Sequence, residues 1–478
     1  MPGAKKSAPG RMIKKMPDYL PHPASYRDPA GFVFRAAGLY YRQVNQSYAA
    51  EYEFLIQSGC YTALTEKGLL IQHKEVSTGV DLPAHPDRYK ILLPQQLSVI
   101  SYPCEWSPSQ LKDAALLTLQ VMHIALDHGM ILKDATPLNI QFREGRPLFI
   151  DTLSFEKYDP SLPWVAYRQF CECFLFPLYL QHYLATGVHK IMGAYPEGIP
   201  AAVTARLLPA RSRVRPGVWL HVLLPASVHH DRLPGNRPLS FNRNKLLHLT
   251  GHLRDSIEHL NTSRVSPSTW NNYYRSTIIS PSYLAAKETL FRSFTADIDF
   301  RSVLDLGAND GYFSKILAEK AVQVIAVDSD WQCINNLYQF TRQHPGMDIL
   351  PLCVDIADPT PATGFNNAER ASFTGRMPAD LVVALALLHH LVLGRNLPLS
   401  RIAAYLAALA QTWLILEYIP LSDPKAQELI RNRKNFSSSY GMPLMEEEFG
   451  RYFTIQRQIP IPGTERILYR MKKINSPA

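Results

Sequence analysis

The sequence predicts an α/β protein: a doubly wound, mostly parallel sheet in the C-terminal part, preceded by a separate α+β domain. Three observations carry this expectation. The chain has 478 residues, too many for one hydrophobic core. The stretch "VLDLGANDGYFSKILAEKAVQVIAVD", Val303 to Asp328, passes from an apolar run through a glycine turn and a helix-period segment to a second β-branched run. Further strand-like runs follow it, several ending in an acid or a polar residue.

Composition bounds the rest. Apolar residues make up 46% and charged residues 19%, a globular balance. No run approaches the ~18–20 apolar residues of a membrane span. The opening "MPGAKKSAPGRMIKK" is basic with no apolar stretch behind it, so residues 1–30 read as a flexible basic N-terminus and not as a secretory signal. None of the six cysteines forms a C-x-x-C pair. "CEC" at 171–173 lies in the apolar "FCECFLFPLYL" and reads as buried thiols, so no metal centre is expected. A reduced, cytoplasmic setting follows.

Residues 31–200 are expected to fold as the first domain. "SQLKDAALLTLQVMHIALDHGM" has a helix pattern behind the hinge-like "LSVISYPCEW". Next comes "HGMILKDATPLNIQFREGRPLFIDTLSFE", with Asp134, Asn139 five residues on, and Asp151 after a β-like run. This resembles the catalytic segment of kinase-like phosphotransferases, including the aminoglycoside phosphotransferase type. In that family the first Asp orients a hydroxyl, while the Asn and second Asp hold magnesium on a nucleoside triphosphate. The resemblance therefore implies a Mg-ATP site at Asp134, Asn139 and Asp151. The sequence departs from the pattern: Leu132 and Lys133 precede the Asp, "DTL" replaces D-F-G, and no glycine-rich loop is visible before residue 100. The strand lysine is ambiguous between Lys74 and Lys90.

Residues 201–280 read as a basic linker and a helical lid. Within 204–254 nine Arg and Lys residues stand against one acid, Asp231, and account for most of the net charge of +9. Such a stripe is either a solvated connector or an anion-binding surface; few aromatics interleave with it, so nucleic-acid stacking has little support. "WNNYYRS" (Trp270 to Ser276) is the candidate lid.

Residues 281–478 carry the clearest chemistry. A βαβ unit closes as a right-handed crossover, and ligands meet such sheets at the carboxyl ends of the strands. Gly307 and Gly311 fall where the chain must turn and let a ligand approach. A dinucleotide wants G-x-G-x-x-G, but Asn309 occupies the middle position, and Asp305 would repel a pyrophosphate. A ligand with positive charge and no phosphate suits it. "VLDLGANDGYF" is similar to the first motif, D-x-G-x-x-x-G, of the class I S-adenosylmethionine (SAM)-dependent methyltransferases. The resemblance implies a Rossmann-like seven-stranded sheet with SAM as cofactor. Asp305, Gly307, Asn309 and Gly311 would hold its methionine end and Asp328 its ribose diol. Asp355 in "LPLCVDIAD" would meet the adenine amino group, with Ile356 beside the ring. "ADLVVALALLHHL" resembles strand four, "TWLILEYIP" strand five, and "YFTIQRQIP" with "RILYRMKK" the closing antiparallel pair.

Methyl transfer is an in-line displacement, assisted where needed by proton removal. No N-P-P-Y-like tetrad follows strand four, which argues against adenine or glutamine amino groups as acceptors. His389 and His390 stand there instead as candidate bases, with Glu417 at the end of strand five as another. The polar "FNNAERASFTGR" (Phe365 to Arg376) is a candidate substrate contact. The expected function is methylation of a small molecule or glycan, with the kinase-like domain as accessory or recognition module. The alternatives are a bifunctional kinase–methyltransferase of a saccharide, a SAM-binding interaction protein, or an RNA methyltransferase.

Overall fold

The computed structural model describes residues 20–76, 85–227, 242–263, 281–431 and 440–474. The first half is built on an antiparallel sheet of β1 (Leu20–Pro21), β2 (Gly31–Ala36), β3 (Leu39–Asn45), β4 (His73–Glu75) and β5 (Arg88–Pro94), in the order β1-β2-β3-β5-β4. Helices α1 (Ala49–Gln57) and α2 (Cys60–Glu66) lie between β3 and β4 in the chain. Residues 95–107 then lead into α3 (Pro108–Asp127). Its start is written in the sequence: Pro108 takes the first turn, the Ser107 side chain accepts from the Gln110 N–H, and the Gln110 side chain accepts from the Ser107 N–H.

After α3, β6 (Met130–Leu132) pairs antiparallel with β9 (Phe155–Lys157), and β7 (Ile140–Arg143) with β8 (Arg146–Phe149). The β7–β8 turn places Glu144 and Gly145 at φ 49° and 72°, the left-handed pair that a two-residue hairpin loop requires. "CEC" falls in a π-helical turn, Cys171–Leu175, leading into α4 (Phe176–Leu184); Cys171 and Cys173 are buried free thiols.

The stretch expected as a linker is largely helical. Asn242 caps α5 (Arg243–Glu258) by accepting from the Lys245 N–H at 3.0 Å. Leu246, Leu253 and Ile257 of α5 enter the same core as Leu111 and Met122 of α3. Its charges are partly spent locally: Arg243 pairs with Asp127, and Arg211 donates to the Tyr183 carbonyl at 3.1 Å. Arg232, Arg237 and the Trp270–Ser276 segment lie outside the described residues.

The second half comprises α6 (Pro281–Thr295), β10 (Ser302–Leu306), α7 (Tyr312–Ala318), β11 (Gln323–Asp328), α8 (Trp331–Gln343), β12 (Ile349–Cys353), β13 (Ala379–Ala384), α9 (Leu399–Leu409), β14 (Ala410–Tyr418), β15 (Phe453–Pro460) and β16 (Ile467–Lys473). The seven strands run β12-β11-β10-β13-β14-β16-β15. The first five are parallel; β16 and β15 close the sheet antiparallel. Strand alternation sorts its apolar residues onto two faces. Val303, Val324, Ala326 and Val383 pack with Phe291 of α6 and Phe313 of α7. Leu304, Leu306, Ile325 and Val327 join the core that contains α3.

The two halves are thus welded through α3. Ser109 N–H donates to Asn335 on α8, Gln110 Nε2 to the Pro351 carbonyl on β12, and Tyr338 OH to Asp113. The loop Phe365–Arg376, expected as a substrate contact, belongs to this seam. Arg376 forms a buried ion pair with Glu105 and donates to the Ile100 carbonyl at 2.5 Å; Glu369 accepts from Arg27 at 2.8 Å.

Candidate functional site

Strand order reverses between β10 and β13, because β11 and β12 extend one way and β14 the other. Chains leaving β10 and β13 therefore diverge and open a crevice at their carboxyl ends. The turn after β10 forms one wall. Gly307, Asn309 and Gly311 hold φ of 74°, 52° and 77°, and the Gly307 and Ala308 N–H groups both donate to the Val327 carbonyl at 2.8 and 2.9 Å. A Cβ on Gly307 would stand 3.4 Å from Leu387 in the turn after β13, so the two loops face each other closely. A Cβ on Gly311 would strike Leu337 at 2.5 Å, so Gly311 lets α8 pack down on the turn.

Asp305 and Asp328 lie beneath this turn. Asp305 is buried and accepts from Ser314 at 2.6 Å. Burial pushes its carboxyl up to about 6, with Ser314 opposing and Asp328 adding to the rise. Asp328 ends β11 and accepts from the Asn309 N–H at 2.9 Å and the Asp330 N–H at 2.8 Å. Burial raises it to about 6 as well, against those backbone donors. Of the roughly four acceptor positions of a carboxylate, the backbone N–H groups of Asp330, Asn309 and Ser329 take up three, which leaves room for a ligand hydroxyl. The donor set suits a cationic, phosphate-free nucleoside such as SAM. Asp355 stands past the end of β12 with Ile356 buried beside it; its carboxylate accepts from the Ala357 N–H at 3.0 Å and Arg395 at 2.8 Å.

On the β14 side the chain builds a closed charge cluster. Glu417 is fully buried and accepts from Lys287 Nζ at 2.6 Å and Tyr283 OH at 2.9 Å, both on α6. Arg466 stands 3.6 Å from it and donates to Asp423 at 2.8 and 3.2 Å. Burial alone would raise the Glu417 pKa; Lys287 and Arg466 outweigh burial and hold the carboxylate below its ordinary range. Its oxygens are taken up by Lys287, Tyr283 and Arg466, so Glu417 stands in a closed ion-pair cluster and not as a free base. His389 is 2% exposed, and its Nδ1 has no hydrogen-bond partner among the described residues. Burial, helped by His390 and the cations Arg466 and Lys287, pushes it down to about 2, so it is a neutral imidazole. The His390 ring lies 4.1 Å from it and is pushed down to about 4, chiefly by burial. Tyr283, Lys287 and Arg466 escaped the sequence reading. Lys287 was the readable signal, a lysine one helical turn from Tyr283 on the face that also carries Phe291 and Phe294.

In the first half, Asp151 and Asn139 converge through Ser154, which donates to Asp151 at 2.7 Å and accepts from Asn139 at 3.0 Å. Asp134 turns back on its own loop and accepts from the Thr136 N–H at 3.2 Å. Neither Lys74 nor Lys90 faces Asp151: Lys74 lies on β4, and Lys90 pairs with Glu75 and Glu53. Arg42, from the middle of β3, pairs with Asp151 instead. With Arg42, the Leu153 N–H and Ser154 on it, Asp151 offers no open carboxylate. A magnesium ion would have to displace Arg42, so the residues as arranged do not fit Mg-ATP. Among the described residues no cluster of His, Cys, Asp or Glu has the grouping of a metal site.

A doubly wound sheet with an acid–glycine turn at its switch point and an antiparallel closing pair defines the class I methyltransferase fold. Residues 273–457 match the family model described as a methyltransferase domain. The nodulation protein NoeA of Rhizobium meliloti (strain 1021) is 29% identical over 457 residues, covering 94% of this chain and 95% of that protein. Among solved structures, the N-methyltransferase NodS of Bradyrhizobium japonicum WM9 is 13% identical over 41% of this chain and all of its own, with a TM-score of 0.31. The bifunctional kinase–methyltransferase WbdD is 17% identical over 40% of this chain and 38% of its own, with a TM-score of 0.27. The protein is a SAM-dependent methyltransferase, and SAM is its methyl donor. No helix among the described residues is long and apolar enough to cross a membrane.

Proposed function

We propose that the chain transfers the methyl group of SAM to a hydroxyl of a small molecule or glycan, in the cytoplasm. Residues 281–478 act as the methyltransferase domain, 31–200 as a kinase-like accessory domain, and 201–280 as the connecting segment. In this reading Asp305, Gly307, Asn309 and Gly311 hold the methionine end of SAM, Asp328 the ribose diol, and Asp355 with Ile356 the adenine.

The observation that carries the acceptor reading is the buried, unbonded Nδ1 of His389 beside the turn that faces Gly307. A neutral imidazole is a proton acceptor, and methylation of a hydroxyl leaves a protonated ether that releases its proton even to a weak base. Glu417, the buried acid of that rim, is already balanced by Lys287 and Arg466, which disfavours an ammonium acceptor. Loss of a general base lowers rate by roughly 10²–10⁴-fold when its pKa is near the working pH, and a base held as low as His389 stands at the bottom of that range. His389→Ala is therefore expected to lower turnover by about that much while SAM affinity and melting temperature change little. His390→Ala is expected to do less, since its ring lies in the field of Lys425 and Glu428 and not of the Lys287–Arg466 cluster that acts on His389. Labelled-methyl transfer with SAM binding measured in parallel is the assay. Near-normal turnover in both variants would leave positioning alone as the account.

A second reading, phosphoryl transfer by the first half, is favoured by the convergence of Asn139 and Asp151 and opposed by Arg42. If it holds, ATP with magnesium raises the melting temperature of the full chain and Asp151→Asn removes the rise. With Arg42 closing Asp151, we expect no magnesium-dependent rise in the native chain.

A further inference from the structure

A cavity of about 370 Å³ lies in the seam between the two halves. Leu138 and Tyr102 of the first half line one side, Glu172, Lys190 and Tyr195 of the helical region another, and Asp355 with Asp358 beyond β12 the third. Its size falls within the roughly 300–1,000 Å³ of small-molecule pockets. It is not the SAM crevice: none of Gly307, Asn309, Gly311, Asp328, Leu387 or His389 lines it, and Asp355 alone is shared with the expected cofactor set.

The lining chemistry is selective. Five prolines and two tyrosines supply flat apolar walls, and a few polar groups stand among them. Glu172 and Asp355 are balanced from outside the cavity by Arg168 at 3.0 Å and Arg395 at 2.8 Å. Lys190 and Asp358 make no side-chain bond among the described residues, so both remain available to a ligand. Three carboxylates against Lys190 and Arg370 disfavour a phosphate. Hydroxyl groups suit the set, because each can donate to a carboxylate and accept from an ammonium, while pyranose C–H faces pack on tyrosine and proline.

The geometry points to a second binding site, in the seam, for an uncharged saccharide unit of one or two rings. The site is separate from the methyl-donor crevice. Because its floor includes the segment after β12, it gives the first half a direct part in ligand recognition.

Gly193 supplies the test. It lines the cavity, and a Cβ there would meet nothing nearer than the Cys104 Cβ at 3.8 Å. Gly193→Trp should fill the cavity without a backbone clash. Titration of the full-length native chain with maltose, cellobiose and N,N′-diacetylchitobiose, read by calorimetry and saturation-transfer NMR, is expected to show saturable millimolar binding of at least one. Gly193→Trp is expected to weaken that binding by more than about tenfold, and Asp358→Asn severalfold, with SAM affinity unchanged in both. Absence of binding by all three sugars overturns the proposal. So does sugar binding that survives both variants, or inorganic phosphate competing for the site. Should Gly193→Trp lower the melting temperature, Asp358→Asn and Lys190→Ala, both at partly exposed positions, decide alone. Failure here leaves SAM binding intact, so it is distinguishable from failure of the methyltransferase reading.

Discussion

Lys287→Met is expected to cost about 3–5 kcal/mol of folding stability, because removing one partner of a buried ion pair strands the other. Glu417 would keep Tyr283 OH at 2.9 Å and Arg466 at 3.6 Å, but Arg466 is already committed to Asp423 through two bonds. The cluster holds two acids and two cations in near-complete burial; without Lys287 it carries an uncompensated negative charge. Replacing Lys287 and Glu417 together by Met and Leu is expected to recover most of the loss, since apolar groups of similar volume avoid the desolvation cost.

The pH dependence gives the sign of the effect. In the native chain Glu417 titrates below its ordinary range, so its contribution is present above the unfolded pKa and is lost as pH falls through the folded one. In Lys287→Met the same carboxyl is buried without its ammonium, and its pKa rises. That variant should therefore regain stability from Glu417 as pH falls toward 5, a range over which the same carboxylate contributes a constant amount in the native chain. Urea unfolding of native, single and double variants at pH 5 and pH 8 measures this. A loss below about 1 kcal/mol for the single variant would mean that the pair behaves like a surface salt bridge.

Asp328→Ala is expected to weaken SAM by about 10- to 100-fold, since a hydrogen bond to a charged group contributes roughly 1.5–3 kcal/mol. The structure adds a complication: Asp328 also holds the Asn309 and Asp330 N–H groups, so the alanine variant loosens the Gly307 turn as well. Asp328→Asn keeps one strong acceptor and should lose less. Burial holds Asp305 and Asp328 near 6 in the free chain, and the proposed roles toward SAM call for both ionised. Affinity should be flat above pH 7 and fall below about 6. The free chain behaves oppositely: a raised carboxyl pKa costs stability above 6, and that cost is relieved as pH falls toward the unfolded value. Calorimetry at pH 5.5 and 7.5, beside thermal melts without ligand, reads both trends. Unchanged SAM affinity in Asp328→Ala would sink the ribose assignment.

The parts of the site that were legible in the sequence are those made by neighbours along the chain. Asp305, Gly307, Asn309 and Gly311 occupy one turn, and Asp328 follows after a single helix and strand. Local periodicity and glycine placement locate that turn, because a βαβ unit has one crossover hand and one end at which ligands meet it, while the ligand roles proposed for these residues come from the motif resemblance. The seven-stranded sheet was implied by the motif resemblance, and its strand order was set by the tertiary structure.

Tertiary structure alone decided what depended on residues far apart in the chain. Glu417 looked like a free strand-end acid until α6, 130 residues earlier, brought Lys287 onto it. Arg42 reaches Asp151 across 109 residues, so the cation on that carboxylate is neither Lys74 nor Lys90, between which the sequence left the choice open. The Phe365–Arg376 loop reads as polar surface, yet Arg376 pairs with Glu105, 271 positions away. The stretch 201–280 reads as a basic linker because its charges dominate the composition, while Leu246, Leu253 and Ile257 at helical spacing bury its helix α5 on α3. A charge pattern along the chain records which residues carry charge; the partner that neutralises each one, and so its chemistry, is set only when distant segments pack.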